Sequence, residues 1–148
     1  MVNYAVRPAL ESESAQIKEL IHLVGINPAG LDWRRFIVAV DESGRVLSCG
    51  QVKPHGCNDE ILELASIATH PDHRNQGLAR KVIEALLERT PRPLYLMCMA
   101  HNGPVYEKFG FVPLEYDEMP RYFQRIKKIF DVANIVWKDE DLLVMKLG

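Results

Sequence analysis

The stretch Leu64-Ala-Ser-Ile-Ala-Thr-His-Pro-Asp-His-Arg-Asn-Gln-Gly-Leu-Ala-Arg-Lys-Val-Ile-Glu-Ala-Leu-Leu87 reads as a strand, a turn and an amphipathic helix running to about Arg89. The turn holds Arg74-x-x-Gly77-x-Ala79. A helix that opens directly after a strand presents a row of backbone N–H groups with no partner in the helix. The helix dipole adds a partial positive charge at the same place. Such a terminus suits an anion, and a phosphate is its natural guest. Gly77 lets backbone approach a ligand closely, and Ala79 keeps the next contact small.

Two other phosphate cradles are excluded by the same residues. A Walker loop needs G-x-x-x-x-G-K followed by Ser or Thr, and no such run occurs; a dinucleotide fingerprint needs G-x-G-x-x-G, of which one glycine is present. The stretch closely resembles the acetyl-CoA signature of the GNAT family of N-acetyltransferases. That signature is Gln or Arg, then x-x-Gly-x, then Gly or Ala, after a strand and with a proline just upstream. Pro71, Arg74, Gly77 and Ala79 fall on it.

The 148 residues are enough to bury a sizeable core and are read as one domain, residues 1–148. A hydrophobic content of 47% with 26% charged residues is that of a soluble globular protein. The formal net charge of −2 gives no electrostatic case for nucleic acid or an acidic membrane. No apolar run approaches the roughly 20 residues that span a bilayer. The start, Met-Val-Asn-Tyr-Ala-Val-Arg, lacks the basic and apolar regions of a signal peptide. Three widely spaced cysteines, Cys49, Cys57 and Cys98, argue against a disulfide framework and fit a reducing, cytoplasmic setting. His55-x-Cys57 and His70-x-x-His73 offer metal-type ligands, yet neither forms a four-ligand set, so no metal is expected.

Along the chain, residues 4–7 read as a strand. Ser12 or Ser14 then caps a helix with Ile17, Leu20, Ile21 and Val24 at helical spacing, ended by Gly25. Asn27-Pro28 is a second start signal and predicts a short helix through Trp33. Strands are predicted over 36–40 and 46–52, joined by Asp41-Glu-Ser-Gly44 as a hairpin turn, and over 61–69 after a polar loop. The helix after Gly77 carries Leu78, Val82, Ile83, Leu86 and Leu87 on one face. Residues 94–99 form a strongly apolar strand, 104–109 a short helix ending at Gly110, and 111–113 the start of another strand. A helix over 121–133 and a strand over 142–147 complete the pattern. In that helix Tyr122, Ile126, Ile129 and Phe130 are predicted inward, with Arg121, Arg125, Lys127 and Lys128 on a basic side.

This order resembles the GNAT fold over nearly the whole chain. The resemblance implies a mixed α/β (α+β) architecture: a central mixed sheet, splayed between its fourth and fifth strands and flanked by helices. It also implies that the acetyl-pantetheine arm of acetyl-CoA, the cosubstrate, pairs with main chain of Ile67, Ala68 and Thr69 in that gap. The pyrophosphate would rest on the turn and helix start formed by Arg74, Asn75, Gln76, Gly77, Leu78, Ala79 and Arg80.

Acetyl transfer from a thioester to an amine needs a neutral amine, whereas a free ammonium of pKa about 10.4 is mostly protonated at neutral pH. It also needs an acid for the departing thiolate. Asn102-Gly-Pro-Val-Tyr106-Glu-Lys-Phe-Gly-Phe111 resembles the family's second signature, in which the tyrosine lies beside the thioester sulfur, so Tyr106 is expected as general acid. The chain departs from the family at Met99, where many members have a pantetheine-binding asparagine; no cofactor role passes to Asn102. For the base, Glu63 occupies a position where several relatives have a glutamate acting through water, and a solvated strand carboxylate reads equally well. His101 is a second candidate. The basic side of the C-terminal helix reads either as a solvated face or as a substrate wall, and residues 106–126 partly resemble the branch that makes N-acetylglutamate.

The function expected is therefore transfer of acetyl from acetyl-CoA to a primary amine of a small molecule or amino acid. The alternatives are a non-catalytic acyl-CoA-binding module and an N-acetylglutamate-synthase-like enzyme. A small-molecule amine is the expected partner, nucleic acid and membrane are not, and a homodimer stays open.

Overall fold

The computed structural model describes residues 3–56, 61–137 and 140–148. Cys57, and with it the pair His55-x-Cys57, lies outside the described residues. The chain clusters into two compact units, Met1–Lys53 with Leu64–Pro91 and Pro54–Glu63 with Arg92–Gly148.

In the first unit, β1 (Tyr4–Pro8), β2 (Phe36–Asp41) and β3 (Val46–His55) form antiparallel neighbours, with Tyr4 opposite Asp41 and Phe36 opposite Gln51. β4 (Ile61–Thr69) follows β3 in the sheet. Successive side chains on a strand point to opposite faces. Phe36, Val38 and Val40 of β2 thus join Ile17, Leu20 and Ile21 of α1 (Ser14–Val24) in one core. α2 (Leu78–Glu88) packs on β2 as well, through buried Leu78, Val82, Ile83 and Leu86. Residues 36–40 of β2 are all apolar and buried because the unit covers both faces of the strand.

Three local expectations give way to longer-range contacts. No serine side chain caps α1; a 3-10 turn over Glu11–Glu13 precedes it. Buried Glu13 accepts the Leu10 N–H at 2.8 Å and both Nη groups of Arg7 at 2.8 Å. A two-pronged charge-assisted contact outweighs a hydroxyl cap, and Arg7 holds the Glu13 carboxyl below its usual pKa. The short helix predicted after Asn27-Pro28 does not form. Asn27 Oδ1 accepts the Ala29 N–H at 3.0 Å, closing a turn instead, and Gly30 follows at φ 71°. A 3-10 turn over Trp33–Arg35 comes later, capped by Asp32. β3 also extends past Val52 to His55.

In the second unit β7 (Leu142–Leu147) lies between β5 (Leu94–Met99) and β6 (Val112–Pro113), antiparallel to both. α3 (Gly103–Glu107) is shorter than predicted, because Phe109 and Gly110 donate to the carbonyls of Tyr106 and Glu107 in a tighter turn. α4 (Arg121–Trp137) is longer than predicted and packs on β7. Its face is rotated from the one expected. Phe123 is fully buried with Tyr95, Met119 and Val144, while Ile129 is 71% exposed. The inward stripe runs through Phe123, Ile126, Lys127 and Phe130, at the i, i+3, i+4, i+7 spacing of one helix face. Lys127 therefore leaves the basic side and pairs with Asp131 and Asp141. Seven strands and four α-helices among the described residues make a mixed α/β fold. No helix among them is long and apolar enough to cross a membrane.

Gly50 on β3 shows how tightly α2 is pressed onto the first unit. A Cβ there would stand 2.4 Å from Ile67 Cδ1, 3.1 Å from Val82 Cγ1 and 3.2 Å from Leu86 Cδ1. Gly50→Val is expected to lower unfolding stability by about 1–3 kcal/mol, the usual cost of overpacking. Urea denaturation checks this, and a midpoint equal to that of the parent protein would contradict the packing described.

Candidate active site

The first unit supplies a turn and a helix start. β4 carries an irregularity that was not predicted: Ser66 sits at φ 58°, in the left-handed region, in mid-strand. Such a residue interrupts the hydrogen-bond ladder and needs outside support. That support comes from fully buried Gln51, whose Nε2 donates to Ser66 Oγ at 2.9 Å and to the Gly30 carbonyl at 3.2 Å. Cys49 Sγ donates to the Ser66 carbonyl at 3.6 Å, and Ser48 Oγ donates to the Ala68 carbonyl at 2.9 Å. Ile67, Ala68 and Thr69 follow directly after this break. The signal that could have found it is the pair of polar residues, Ser48 and Gln51, inside the apolar run of β3.

After Thr69 the chain turns at once. The His70 N–H donates to the Leu47 carbonyl at 2.8 Å, and a 3-10 turn over Pro71–His73 follows. Asn75 at φ 63° and Gly77 at φ 76° are both left-handed. Gly77 is the N-cap of α2, with no side chain to occupy the first N–H groups, while its carbonyl accepts the Lys81 N–H at 3.1 Å. A left-handed residue followed by right-handed ones turns successive N–H groups toward one side, which makes a concavity for an anion. Leu78 is buried and anchors the helix; Ala79 is half-buried; Arg74, Asn75, Gln76, Gly77 and Arg80 are exposed. Arg80 Nε holds Glu84 at 2.8 Å.

The second unit supplies titratable groups. Tyr106 lies on α3 with its ring edge-on to Phe111 at 6.3 Å. Its hydroxyl makes no hydrogen bond among the described residues. Burial, and secondarily the neighbouring Cys98, pushes its phenol up to about 12. Such an acid keeps its proton through the neutral and alkaline range. Burial likewise pushes the Cys98 thiol up to about 11, with Glu140 adding to it.

Glu63 is not a solvated carboxylate. It is buried at the start of β4, and His55 Nε2, at the end of β3, lies 2.7 Å from its Oε1. The His55 ring stacks on Tyr122 of α4 at 3.9 Å and 19°, and Phe123 meets it edge-on at 6.4 Å. Burial, then the charge of Glu63, raises the Tyr122 phenol above its usual range. His101 is differently engaged: its Nδ1 lies 2.5 Å from Glu140 Oε1, and its backbone N–H donates to the same oxygen at 2.5 Å. Those contacts, the backbone one first, hold the Glu140 carboxyl below its usual range. Arg121, Arg125 and Lys128 are exposed on α4. The structure thus joins Glu63 to His55 and Tyr122, two side chains that sequence reasoning did not connect with it. Tyr106 belongs to the same unit, and residues 67–80 belong to the other.

A family model described as an acetyltransferase (GNAT) domain matches residues 32–113, more than half of the 148-residue chain. The chain belongs to the GNAT family of acetyltransferases. A search of curated proteins finds no match. Among solved structures, the chain is similar to N-acetylglutamate synthase from Neisseria gonorrhoeae, complexed with coenzyme A and N-acetyl-glutamate. The TM-score is 0.72 at 17% identity, covering 100% of this chain and 36% of that one. It is also similar to Rv2747 from Mycobacterium tuberculosis, complexed with CoA and a second ligand, at TM-score 0.68 and 22% identity over 97% of this chain and 98% of that one. Escherichia coli ElaA gives TM-score 0.68 at 15% identity, with 100% of each chain covered. At these identities the likeness is one of fold. The chain spans about a third of the length of the gonococcal synthase.

For this GNAT member the buried phenol has a measurable sign. Below about pH 10 a tyrosine is neutral whether folded or unfolded. Above it the unfolded chain ionises first, so Tyr106 contributes stability that is lost as pH rises toward 12. In ultraviolet titrations of the parent protein and Tyr106→Phe, the phenolate signal missing from the variant is expected above about pH 11. A missing component centred near 10 would contradict the burial described.

Proposed function

We propose that the chain, as one N-acetyltransferase domain over residues 1–148, moves an acetyl group from acetyl-CoA to a primary amine of a small molecule. The observation that carries this is the start of α2: an N-cap glycine at the end of the turn that follows β4, inside the segment that matches the family model. In this reading the pyrophosphate rests on N–H groups of Asn75, Gln76, Gly77, Leu78, Ala79 and Arg80, beside the Arg74 guanidinium. A helix N-terminus offers both unpaired donors and a favourable dipole to that charge. Main chain of Ile67, Ala68 and Thr69, freed from a regular ladder by Ser66, pairs with the pantetheine amides.

The amine nitrogen attacks the thioester carbonyl, forming the C–N bond. The C–S bond then breaks, and the sulfur takes the proton of the Tyr106 hydroxyl. The hydroxyl has no internal hydrogen bond among the described residues and is available to the sulfur. Burial, by raising the phenol, makes it a weaker acid than a free tyrosine, so its help comes from its place beside the departing sulfur. The proton lost by the amine goes to the pair formed by Glu63 and His55. For the acceptor we favour an amine that also bears a carboxylate. Arg121 and Arg125 lie one helical turn apart and exposed on α4, and an arginine fork holds a carboxylate through two parallel bonds. The N-acetyl-glutamate bound by the gonococcal synthase agrees with this choice.

The test measures thiol release from acetyl-CoA over a panel of amino acids, each paired with its decarboxylated amine. Amine-dependent release is expected, and kcat should fall roughly 10²-fold in Tyr106→Phe, the scale of lost general acid catalysis. Amino acids should exceed their paired amines by about 10- to 10²-fold in kcat/KM, from a charge-assisted contact of about 1.5–3 kcal/mol. Binding of acetyl-CoA without release on any amine would favour the non-catalytic module. Equal rates for each pair would end the carboxylate assignment.

A further inference from the structure

The two members of the Glu63–His55 pair are not equivalent as proton acceptors. A carboxylate accepts hydrogen bonds and donates none, so the 2.7 Å contact to Glu63 Oε1 requires the proton on His55 Nε2. In the neutral ring this leaves the lone pair on Nδ1. That nitrogen has no hydrogen-bond partner among the described residues. Exposure separates the two groups in the same direction: the Glu63 side chain is 5% exposed and the His55 side chain 16%. The imidazole, rather than the carboxylate, is the member open to a small molecule.

The ring is also held. The carboxylate fixes one edge, the Tyr122 ring lies against its face at 3.9 Å, and Phe123 meets it edge-on. A histidine with one nitrogen bonded to a buried carboxylate and the other free is oriented for proton transfer. It gains a charge partner when it becomes imidazolium. We infer that His55 Nδ1 takes the proton from the acceptor amine, and that Glu63 is a positioning residue acting through His55. The inference rests on the transfer reaction proposed above and reassigns its base. As the C–N bond forms, the N–H electron pair stays on nitrogen and the proton passes to Nδ1. The imidazolium is then stabilised by Glu63 until it returns the proton to water, while Tyr106 protonates the thiolate.

Three variants and one spectroscopic measurement test this on the full chain, with acetyl-CoA and the amine panel already described. His55→Ala should lower kcat by about 10²–10³-fold, within the range for a lost general base, with acetyl-CoA affinity unchanged. Added imidazole should restore part of that loss. His55→Asn should be as slow, because the amide has no basic nitrogen. Glu63→Gln, whose carbonyl still accepts from Nε2, should lose about tenfold and gain nothing from imidazole. In the parent protein, nitrogen-15 spectra should show the neutral His55 ring protonated on Nε2, whatever the variants' folding. Protonation on Nδ1 instead would overturn the inference, as would His55→Ala retaining the parent kcat, or a greater loss in Glu63→Gln than in His55→Asn. If the parent protein releases no thiol with any amine, the transfer reaction itself falls and this inference with it. Release that survives His55→Ala overturns the base assignment alone.

Discussion

The open N–H groups at the start of α2 exist because Gly77, at φ 76°, caps the helix without a side chain. Serine, threonine or aspartate at that position would fold back on the first turn and satisfy the donors from within. The left-handed dihedral adds a second demand, since it is costly for a residue with a Cβ. The rest of the first unit secures this start. Buried Leu78, Val82, Ile83 and Leu86 clamp the helix down, and bare Gly50 lets it approach β3. Gln51 and Ser48 support the irregular stretch of β4 that delivers the chain to the turn. A rigid scaffold thus holds an unsatisfied surface, the arrangement expected where binding energy is to come from a ligand.

The second unit works through burial rather than open backbone. Half-buried Tyr106 holds its proton far into the alkaline range, and buried Glu63 is bonded to an imidazole. In the transfer reaction we propose, the first would donate a proton and the second would act through its neighbour in receiving one. The rotated face of α4 matters here. Had Tyr122 and Ile129 led the helix inward, Phe123 would not reach Tyr95 and the ring of His55 would lose its edge contact.

Elements with a strong local signal were legible in the sequence. β4, β5 and β7 run over the residues predicted, because each is a mainly apolar stretch of strand length set off by polar or turn residues. The Gly77 turn and α2 were legible for the same reason, as was the family itself, whose motif lies in that turn. What escaped the sequence depends on distant partners. The start of α1 is fixed by Arg7, six residues before Glu13, rather than by a serine. The strained Ser66 answers to Gln51, fifteen residues away in sequence, and nothing in its own neighbourhood marks it. His55 read as a loop residue beside Cys57, because its reach to Glu63 and Tyr122 follows from β3 running three residues past Val52. The family was clearer than the site, since one turn carries the family while the candidate acid–base groups come from separate segments.

The central claim is that the α2 start holds the anionic part of acetyl-CoA. Isothermal titration of acetyl-CoA into the parent protein and Gly77→Glu tests it most directly, with circular dichroism to confirm that the variant is folded. A carboxylate placed among those N–H groups should block the anion and remove about 1.5–3 kcal/mol of charge-assisted bonding, weakening binding by at least roughly tenfold. An unchanged dissociation constant in a folded Gly77→Glu protein would contradict the account.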